Sequence, residues 1–178
     1  MKISKTFIKD LLVIEPQLFK DERGFFYESY NKNNLNSNIV FVQDNESKSY
    51  KGVIRGLHFQ APPFDQTKLV RCVSGNILDV AVDLRTNSKT YGKFFSVELS
   101  SENNKQLFIP KGFAHGFQVL SNEAIVNYKV DKYYNPDSDL GIIWNDKDLS
   151  IDWKLNIEPF LSNKDLKLMS FKDLKSPF

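Results

Sequence analysis

The chemistry open to this chain depends first on its histidines, because it has only two, His58 and His115. His58 lies in the segment RGLHFQ (residues 55–60), where strand alternation places Gly56, His58 and Gln60 on one face. A glycine beside a histidine on an inward-facing strand leaves space for a ligand. The segment therefore allows two interpretations: a histidine hydrogen-bonded within the core, or one that lines a pocket.

A metal site is the first alternative to test, because barrels with clustered histidines often bind metal ions. The positions two residues after the histidines hold Gln60 and Phe117. Without an H-x-H pair or a third histidine, one chain cannot build a three-histidine site. The single cysteine, Cys72, is expected to be a buried strand residue, and it supplies neither a disulfide nor a Cys-based zinc site. We therefore predict a function that needs no metal and no cofactor.

Cationic side chains near the histidines indicate a pocket for an anion. Arg55 and Lys68 lie close to His58 in the sequence and can supply positive charge there. The segment DERGFFYE (residues 21–28) is a second charged cluster, and it is a surface turn if it takes no part in binding. These segments favour an anionic small molecule as the ligand.

Two further patterns have both a structural and a functional interpretation. Gln43, Asn45, Ser47 and Ser49 alternate along one predicted strand face, which is either exposed to solvent or the lining of a polar cavity. Tyr128 follows an apolar run, and such a tyrosine is usually a core residue whose hydroxyl group finds one partner. The sequence alone does not decide between these interpretations.

The elements that must position these residues are predominantly β-strands. The chain has 178 residues, within the range of one domain, and we expect a single domain over residues 1–178. Phenylalanine occurs 15 times, and β-branched runs recur between Gly, Asn, Asp or Pro, which predicts an all-β barrel or sandwich. The predicted strands are Leu12–Pro16, Gly24–Tyr30, Phe41–Ser49, Gly52–Gln60, Lys68–Ser74, Gly75–Asp83, Gly92–Leu99, Gln106–Ile109, Phe113–Leu120 and Ala124–Val130. Loops and a few short helices are expected in the C-terminal 45 residues or so.

Charge and hydropathy exclude several classes of partner. Lysine and arginine number 24 against 22 aspartates and glutamates, so the net charge of +2 is too small to predict nucleic acid or an anionic membrane as a partner. No run approaches 18 apolar residues, and charges interrupt the N-terminal apolar positions. We therefore expect a cytoplasmic protein that binds a small molecule.

Six segments, taken together and in order, resemble the dTDP-4-dehydrorhamnose 3,5-epimerases, a family of cupin-fold enzymes of deoxysugar biosynthesis. The resemblance implies a cupin-type β-barrel or jelly roll, a homodimer, and a nucleotide-linked 4-keto-6-deoxy sugar as substrate. The segments are Asp21–Glu28, Phe41–Gln60, Lys68–Arg85, Gln106–Leu120, Tyr128–Trp144 and Leu161–Asp165.

The resemblance also implies roles for individual residues. His58 is similar to the catalytic base of the family, Asp165 to its carboxylate partner, Tyr128 to the general acid, and Lys68 to the lysine near the C4 keto oxygen. Eight further positions resemble substrate contacts: Arg23, Glu28, Gln43, Asn45, Arg55, His115, Asp139 and Lys164.

Elementary chemistry supports these roles. Inversion of a carbon next to a ketone needs a base on one face, an acid on the other, and a group that holds the enolate oxygen. An imidazole exchanges protons near neutral pH, and a carboxylate on its other nitrogen fixes the tautomer. A tyrosine donates a proton more readily beside a cation, for which Lys68 is the candidate. Arg23 and Arg55 suit a diphosphate, because guanidinium groups bind phosphate oxygens in pairs.

Alternative functions remain at this point. The nearest is the same chemistry on a GDP-linked 4-keto sugar or a heptose, or at one carbon only. A metal-dependent cupin, such as a dioxygenase or a phosphomannose isomerase, is disfavoured by the histidine count. A non-catalytic sugar-binding barrel is disfavoured because His58, Lys68, Tyr128 and Asp165 are all present.

Overall fold

The computed structural model describes residues 1–35 and 38–178, and β-strands dominate this part of the chain. The strands are β1 (Lys2–Lys5), β2 (Leu12–Glu15), β3 (Phe19–Asp21), β4 (Gly24–Phe26), β5 (Gln43–Tyr50), β6 (Ile54–Gln60), β7 (Lys68–Ser74), β8 (Asn76–Asp83), β9 (Phe94–Ser100), β10 (Gln106–Ile109), β11 (Phe113–Val119), β12 (Glu123–Val130) and β13 (Asp139–Gly141). Short 3₁₀ helices occupy Lys32–Leu35, Pro136–Ser138, Asp165–Lys167 and Phe171–Asp173. The predicted all-β class is confirmed.

The strands form two large antiparallel sheets and one hairpin. A six-stranded sheet has the order β1-β2-β10-β7-β12-β5, and a five-stranded sheet has the order β13-β6-β11-β8-β9. β3 and β4 pair only with each other among the described residues. The two large sheets pack face to face, as in a sandwich or jelly roll.

Apolar side chains hold the two sheets together. Val70 and Cys72 from β7 and Val126 from β12 contact Ala81 from β8 and Phe117 from β11 in one buried cluster. Cys72 is 4% exposed, and burial raises the pKa of its thiol to about 11, so it is the unreactive core residue that we predicted.

The C-terminal segment covers the outer face of the five-stranded sheet. A second buried cluster joins Leu78, Val80 and Val82 of β8 to Trp153 and Leu174 of that segment. β8 is therefore buried on both faces, which explains why its sequence is a nearly continuous apolar run. No helix in the described residues is long and apolar enough to cross a membrane.

Short strands account for most of the differences from the prediction. β1, β3 and β13 have three or four residues each and were not predicted, because such short segments carry no periodic apolar pattern. β4 ends at Phe26, not at Tyr30, because residues 27–30 leave the hairpin and run along the six-stranded sheet, where Arg71 donates to the Tyr27 hydroxyl group. The C-terminal helices are single 3₁₀ turns of three residues.

The predicted turn between β7 and β8 depends on Gly75. Its φ is +81°, and a Cβ atom there would lie 2.2 Å from the carbonyl oxygen of Glu123 and 2.5 Å from Oγ of Ser121. Gly24, in the β3–β4 turn, also has a positive φ, +128°, but a Cβ atom there would meet nothing within 4 Å. A side chain at position 75 would therefore add a steric clash to backbone strain, whereas a side chain at position 24 would add backbone strain alone.

We predict that Gly75→Ala lowers the free energy of unfolding by about 3 kcal/mol or more, since strain and clash add. The control Gly24→Ala should cost at most about 1–2 kcal/mol, from strain alone. Urea titration followed by tryptophan fluorescence measures both. Equal losses for the two variants would contradict this account of the turn.

Candidate active site

A cavity of about 840 Å³ lies between the two large sheets, next to the apolar cluster, and Phe117 belongs to both. Its walls come from β5, β6, β7, β11, β12 and β13, and from residues 160–165 of the C-terminal segment. The lining includes nine of the twelve residues predicted for the site: Asn45, Arg55, His58, Lys68, His115, Tyr128, Asp139, Lys164 and Asp165.

His58 and Asp165 form the first pair in this cavity. The Nε2 atom of His58 lies 2.6 Å from Oδ1 of Asp165, although the two residues are 107 positions apart. Asp165 is 3% exposed, and its backbone amide donates to Oγ of Ser162. Burial acts to raise the pKa of Asp165, but the hydrogen bond and charge of His58 outweigh it, so the pKa is lowered. Asp165 is thus an ionised partner that fixes the imidazole and leaves its Nδ1 atom for the cavity.

Tyr128 and Lys68 face His58 from the six-stranded sheet. The Lys68 Nζ atom lies 6.0 Å from the centroid of the Tyr128 ring. Burial, and then the charge of Asp139, raises the pKa of Tyr128, whereas Arg55 is the cation that acts to lower it. Burial lowers the pKa of Lys68 to about 8, against the negative charges of Asp139 and Asp79. Tyr128 is therefore a protonated phenol at neutral pH, and Lys68 is a cation that holds its proton loosely.

A polar network closes the rim of the cavity. Asp139 accepts hydrogen bonds from the Tyr134 hydroxyl group, at 2.9 Å, and from the Lys164 ammonium group. Gln43 lies outside the lining, but its Nε2 atom donates to Oδ1 of Asn45 at 2.8 Å. Oε1 of Gln43 accepts from the Tyr134 backbone amide. The alternating polar face of β5 therefore belongs to the cavity and not to the solvent.

Two predicted substrate contacts lie away from this cavity. Arg23 pairs with Asp21 in the β3–β4 hairpin, and its side chain is 90% exposed. Glu28 follows the hairpin and accepts hydrogen bonds from the side-chain amides of Asn31 and Asn34. Neither residue contributes to the lining within its own chain.

The sequence analysis did not single out two residues near the cavity. Tyr134 lies at the rim, in a loop with no distinctive pattern. Asp79 is fully buried in β8, and both of its carboxylate oxygens lie near Nε2 of His115, at 3.1 and 2.9 Å. A single aspartate at the centre of the apolar strand NILDVAVD was the signal that could have identified it.

The histidines and carboxylates form pairs rather than a larger cluster. Among residues 1–35 and 38–178, no three His, Cys, Asp or Glu side chains come together as a metal site requires. The absence of a metal requirement stays a prediction from the sequence.

Comparison with known proteins identifies the family. The profile of the dTDP-4-dehydrorhamnose 3,5-epimerases matches residues 5–173. The enzyme of that name from Shigella flexneri is 51% identical over 177 residues, covering 97% of each chain. The Elizabethkingia anophelis enzyme of the same name superposes with a TM-score of 0.93 at 51% identity, covering 99% of this chain and 98% of the other.

A third relative was solved with a ligand. The dTDP-6-deoxy-D-glucose-3,5-epimerase of Legionella pneumophila, in complex with dTDP-4-keto-L-rhamnose, has a TM-score of 0.92 and 47% identity, covering 95% of this chain and 92% of the other. These similarities confirm the predicted cupin-type fold. They extend over nearly the whole length of both proteins in each comparison, and the chain therefore belongs to the dTDP-4-dehydrorhamnose 3,5-epimerase family.

Proposed function

We propose that this chain is an epimerase that inverts C3 and C5 of a dTDP-linked 4-keto-6-deoxy sugar. The observation that carries the proposal is the placement of His58 and Tyr128 on facing sheets, with Lys68 beside Tyr128. A sugar ring between the sheets has one face toward a base and the other toward an acid. This geometry suits inversion, since a proton must leave one face and return to the other.

The proposed mechanism begins with proton removal. Nδ1 of His58 takes a proton from a carbon next to the C4 ketone, and the electron pair of that C–H bond moves onto the ketone oxygen as an enolate. Asp165 stabilises the imidazolium that forms. The Lys68 ammonium group holds the enolate oxygen. Both C3 and C5 adjoin the ketone, so the same three groups activate both carbons.

The second step returns a proton to the opposite face. The Tyr128 hydroxyl group donates its proton to the enolate carbon, which restores the ketone and leaves a tyrosinate. Solvent then reprotonates the tyrosinate, and His58 releases its proton. The raised pKa of Tyr128 keeps the phenol protonated before the enolate forms, and Arg55 is the cation that acts to lower this pKa and so eases the loss of the proton.

The charges of the cavity support an anionic substrate. Arg55 donates to Oγ of Ser49 at 2.9 Å and lies in the lining together with Lys68 and Lys164. Lys164 is paired with Asp139, but Arg55 and Lys68 form no salt bridge among the described residues, so their positive charge is available to a diphosphate. The dTDP-sugar bound to the Legionella relative favours a dTDP-linked substrate over the GDP-linked alternative.

Proton NMR in D₂O with dTDP-4-keto-6-deoxyglucose tests the proposed function. Loss of both the C3 and C5 signals supports it. Exchange at one carbon only, or only with a GDP-linked sugar, contradicts it.

We predict that His58→Ala and Tyr128→Phe have different effects on one reaction. His58→Ala should abolish deuterium exchange at both carbons, because no base remains. Tyr128→Phe should retain exchange at the face of His58 while net inversion falls by about 10²–10⁴-fold. NMR in D₂O follows exchange and inversion together, and circular dichroism checks the fold. Unchanged inversion in Tyr128→Phe would remove this residue from the mechanism.

The buried Lys68 predicts a pH dependence. Only its ammonium form can hold the enolate, and burial lowers its pKa to about 8. Activity should therefore be retained below pH 8 and fall as the pH rises through that value, by roughly tenfold per unit beyond it. Lys68→Arg is the matched control, because its guanidinium stays charged and the alkaline decline should disappear even if kcat is lower. An alkaline decline that persists unchanged in Lys68→Arg would refute this role.

We further propose that the active form is a homodimer and that Arg23 and Glu28 contact the substrate of a second copy. The β3–β4 hairpin is highly exposed: Phe25 is 54% and Phe26 is 68% exposed. Exposed aromatic rings beside a guanidinium suit contact with a nucleotide or with another chain. A hairpin that lies away from its own cavity is free to reach that of a partner.

A mixing experiment tests the dimer and the shared site together. Light scattering at micromolar concentration should give twice the mass of one chain. If Arg23 acts in the partner's cavity, mixing the impaired variants Arg23→Ala and His58→Ala should restore activity, since each mixed dimer contains one site with both native residues. A monomer, or a mixture no more active than its components, would contradict the proposal.

The expected single domain is likewise a proposal. It is supported by the apolar cluster that both large sheets share and by the C-terminal segment that packs on β8. A single domain should unfold in one cooperative transition in the urea titration.

A further inference from the structure

Asp79 is a carboxylate in a place that is otherwise apolar. It is fully buried in β8, between the apolar neighbours Leu78 and Val80, and its side chain faces the space between the two sheets. Burial of a charged group is costly unless the group is well hydrogen-bonded. An asparagine, a threonine or an apolar side chain would fit a purely structural role at lower cost. The buried carboxylate of Asp79 therefore needs a functional explanation.

The hydrogen bonds of Asp79 lead to His115. In the part of the chain that the structure describes, both carboxylate oxygens are directed at one atom, Nε2 of His115, at 3.1 and 2.9 Å. A carboxylate accepts hydrogen bonds, so Nε2 carries the hydrogen atom. The tautomer of the imidazole is thereby fixed, and Nδ1 is the ring nitrogen left for other contacts.

His115 connects this carboxylate to the cavity. It lies on β11 directly opposite His58 on β6 and lines the cavity, although it is only 8% exposed. The negative charge of Asp79 also acts on Lys68, where it opposes the effect of burial on the pKa. Asp79 thus lies behind two residues of the site without lining the cavity itself.

We propose that Asp79 is a positioning residue for the epimerisation, which holds His115 in one tautomer and one orientation so that its Nδ1 atom contacts the sugar. Two histidine–carboxylate pairs therefore adjoin the cavity, and their histidines lie on the neighbouring strands β6 and β11. His58 with Asp165 moves the proton, and His115 with Asp79 orients the ring that loses it. This inference rests on the proposed function, because it needs a sugar between the sheets.

The tautomer can be measured without substrate. Since the chain has two histidines, His58→Asn leaves His115 as the only imidazole, and its ¹⁵N shifts report which nitrogen carries hydrogen. We expect one tautomer, protonated at Nε2. Adding Asp79→Asn should populate the tautomer protonated at Nδ1, because an amide NH₂ group can donate to Nε2. A mixture of tautomers with Asp79 in place would overturn the proposal, even if Asp79→Asn fails to fold.

The catalytic effect is measured by a double-mutant cycle in the otherwise native chain. Asp79→Asn should lower kcat by about 10- to 100-fold, as for other carboxylates that orient a functional histidine. If Asp79 acts through His115, the variant His115→Asn and the double variant should be equally slow. Binding of dTDP alone, without the sugar, should change less than threefold. Additive losses in the cycle would overturn the proposal.

A matched control separates positioning from stability. Asp146 is also a buried carboxylate, and it accepts hydrogen bonds from the backbone amides of Asp148, Leu149 and Phe171, away from the cavity. Asp146→Asn should lower the free energy of unfolding and leave kcat unchanged. If Asp146→Asn lowers kcat as much as Asp79→Asn does, the effect is structural and the proposal fails. A native chain that exchanges no deuterium would refute the proposed function, whereas the ¹⁵N measurement would still decide whether Asp79 holds His115.

Discussion

The apolar contact between the two large sheets is the constraint on which the rest of this structure depends. Val70 and Val126 on one sheet pack against Ala81 and Phe117 on the other, and this cluster sets the distance between the sheets. The same inner faces also carry polar side chains that line the cavity, such as Lys68 and Tyr128. This packing therefore holds His58 and Tyr128 on opposite sides of the cavity.

The C-terminal segment supplies the carboxylate that contacts His58. It covers the outer face of the five-stranded sheet with Trp153 and Leu174, and it then delivers Asp165 to His58. The segment has little regular structure, so its position is determined by the apolar side chains that it buries and not by a strand ladder. Packing on the outside of the sheet therefore orients the imidazole on its inside.

Burial shifts the pKa values of Lys68 and Tyr128 in opposite directions. It lowers the pKa of Lys68 to about 8 and raises that of Tyr128, because a charged form is disfavoured away from water in both cases. The lysine is therefore a cation near the threshold of losing its charge, and the tyrosine is a neutral donor.

The sequence by itself determined the strand ladder, the shared face of Gly56 and His58, and the buried state of Cys72. These features follow from local alternation, which a single strand displays without its neighbours. Family resemblance added the site residues, nine of which the fold brings to one cavity.

Only the tertiary structure decided which faces meet and which groups pair. The polar face of β5 was equally compatible with solvent, and the partner of His115 was not among the expected residues, because both depend on contacts between strands that are distant in sequence. The short strands β1, β3 and β13 likewise exist through their pairing or turn geometry and not through their own pattern. Local sequence specifies the alternation of side chains along a strand, but the register and packing of sheets come from long-range contacts. The pairs His58–Asp165 and His115–Asp79 are such contacts, so only the tertiary structure could reveal them.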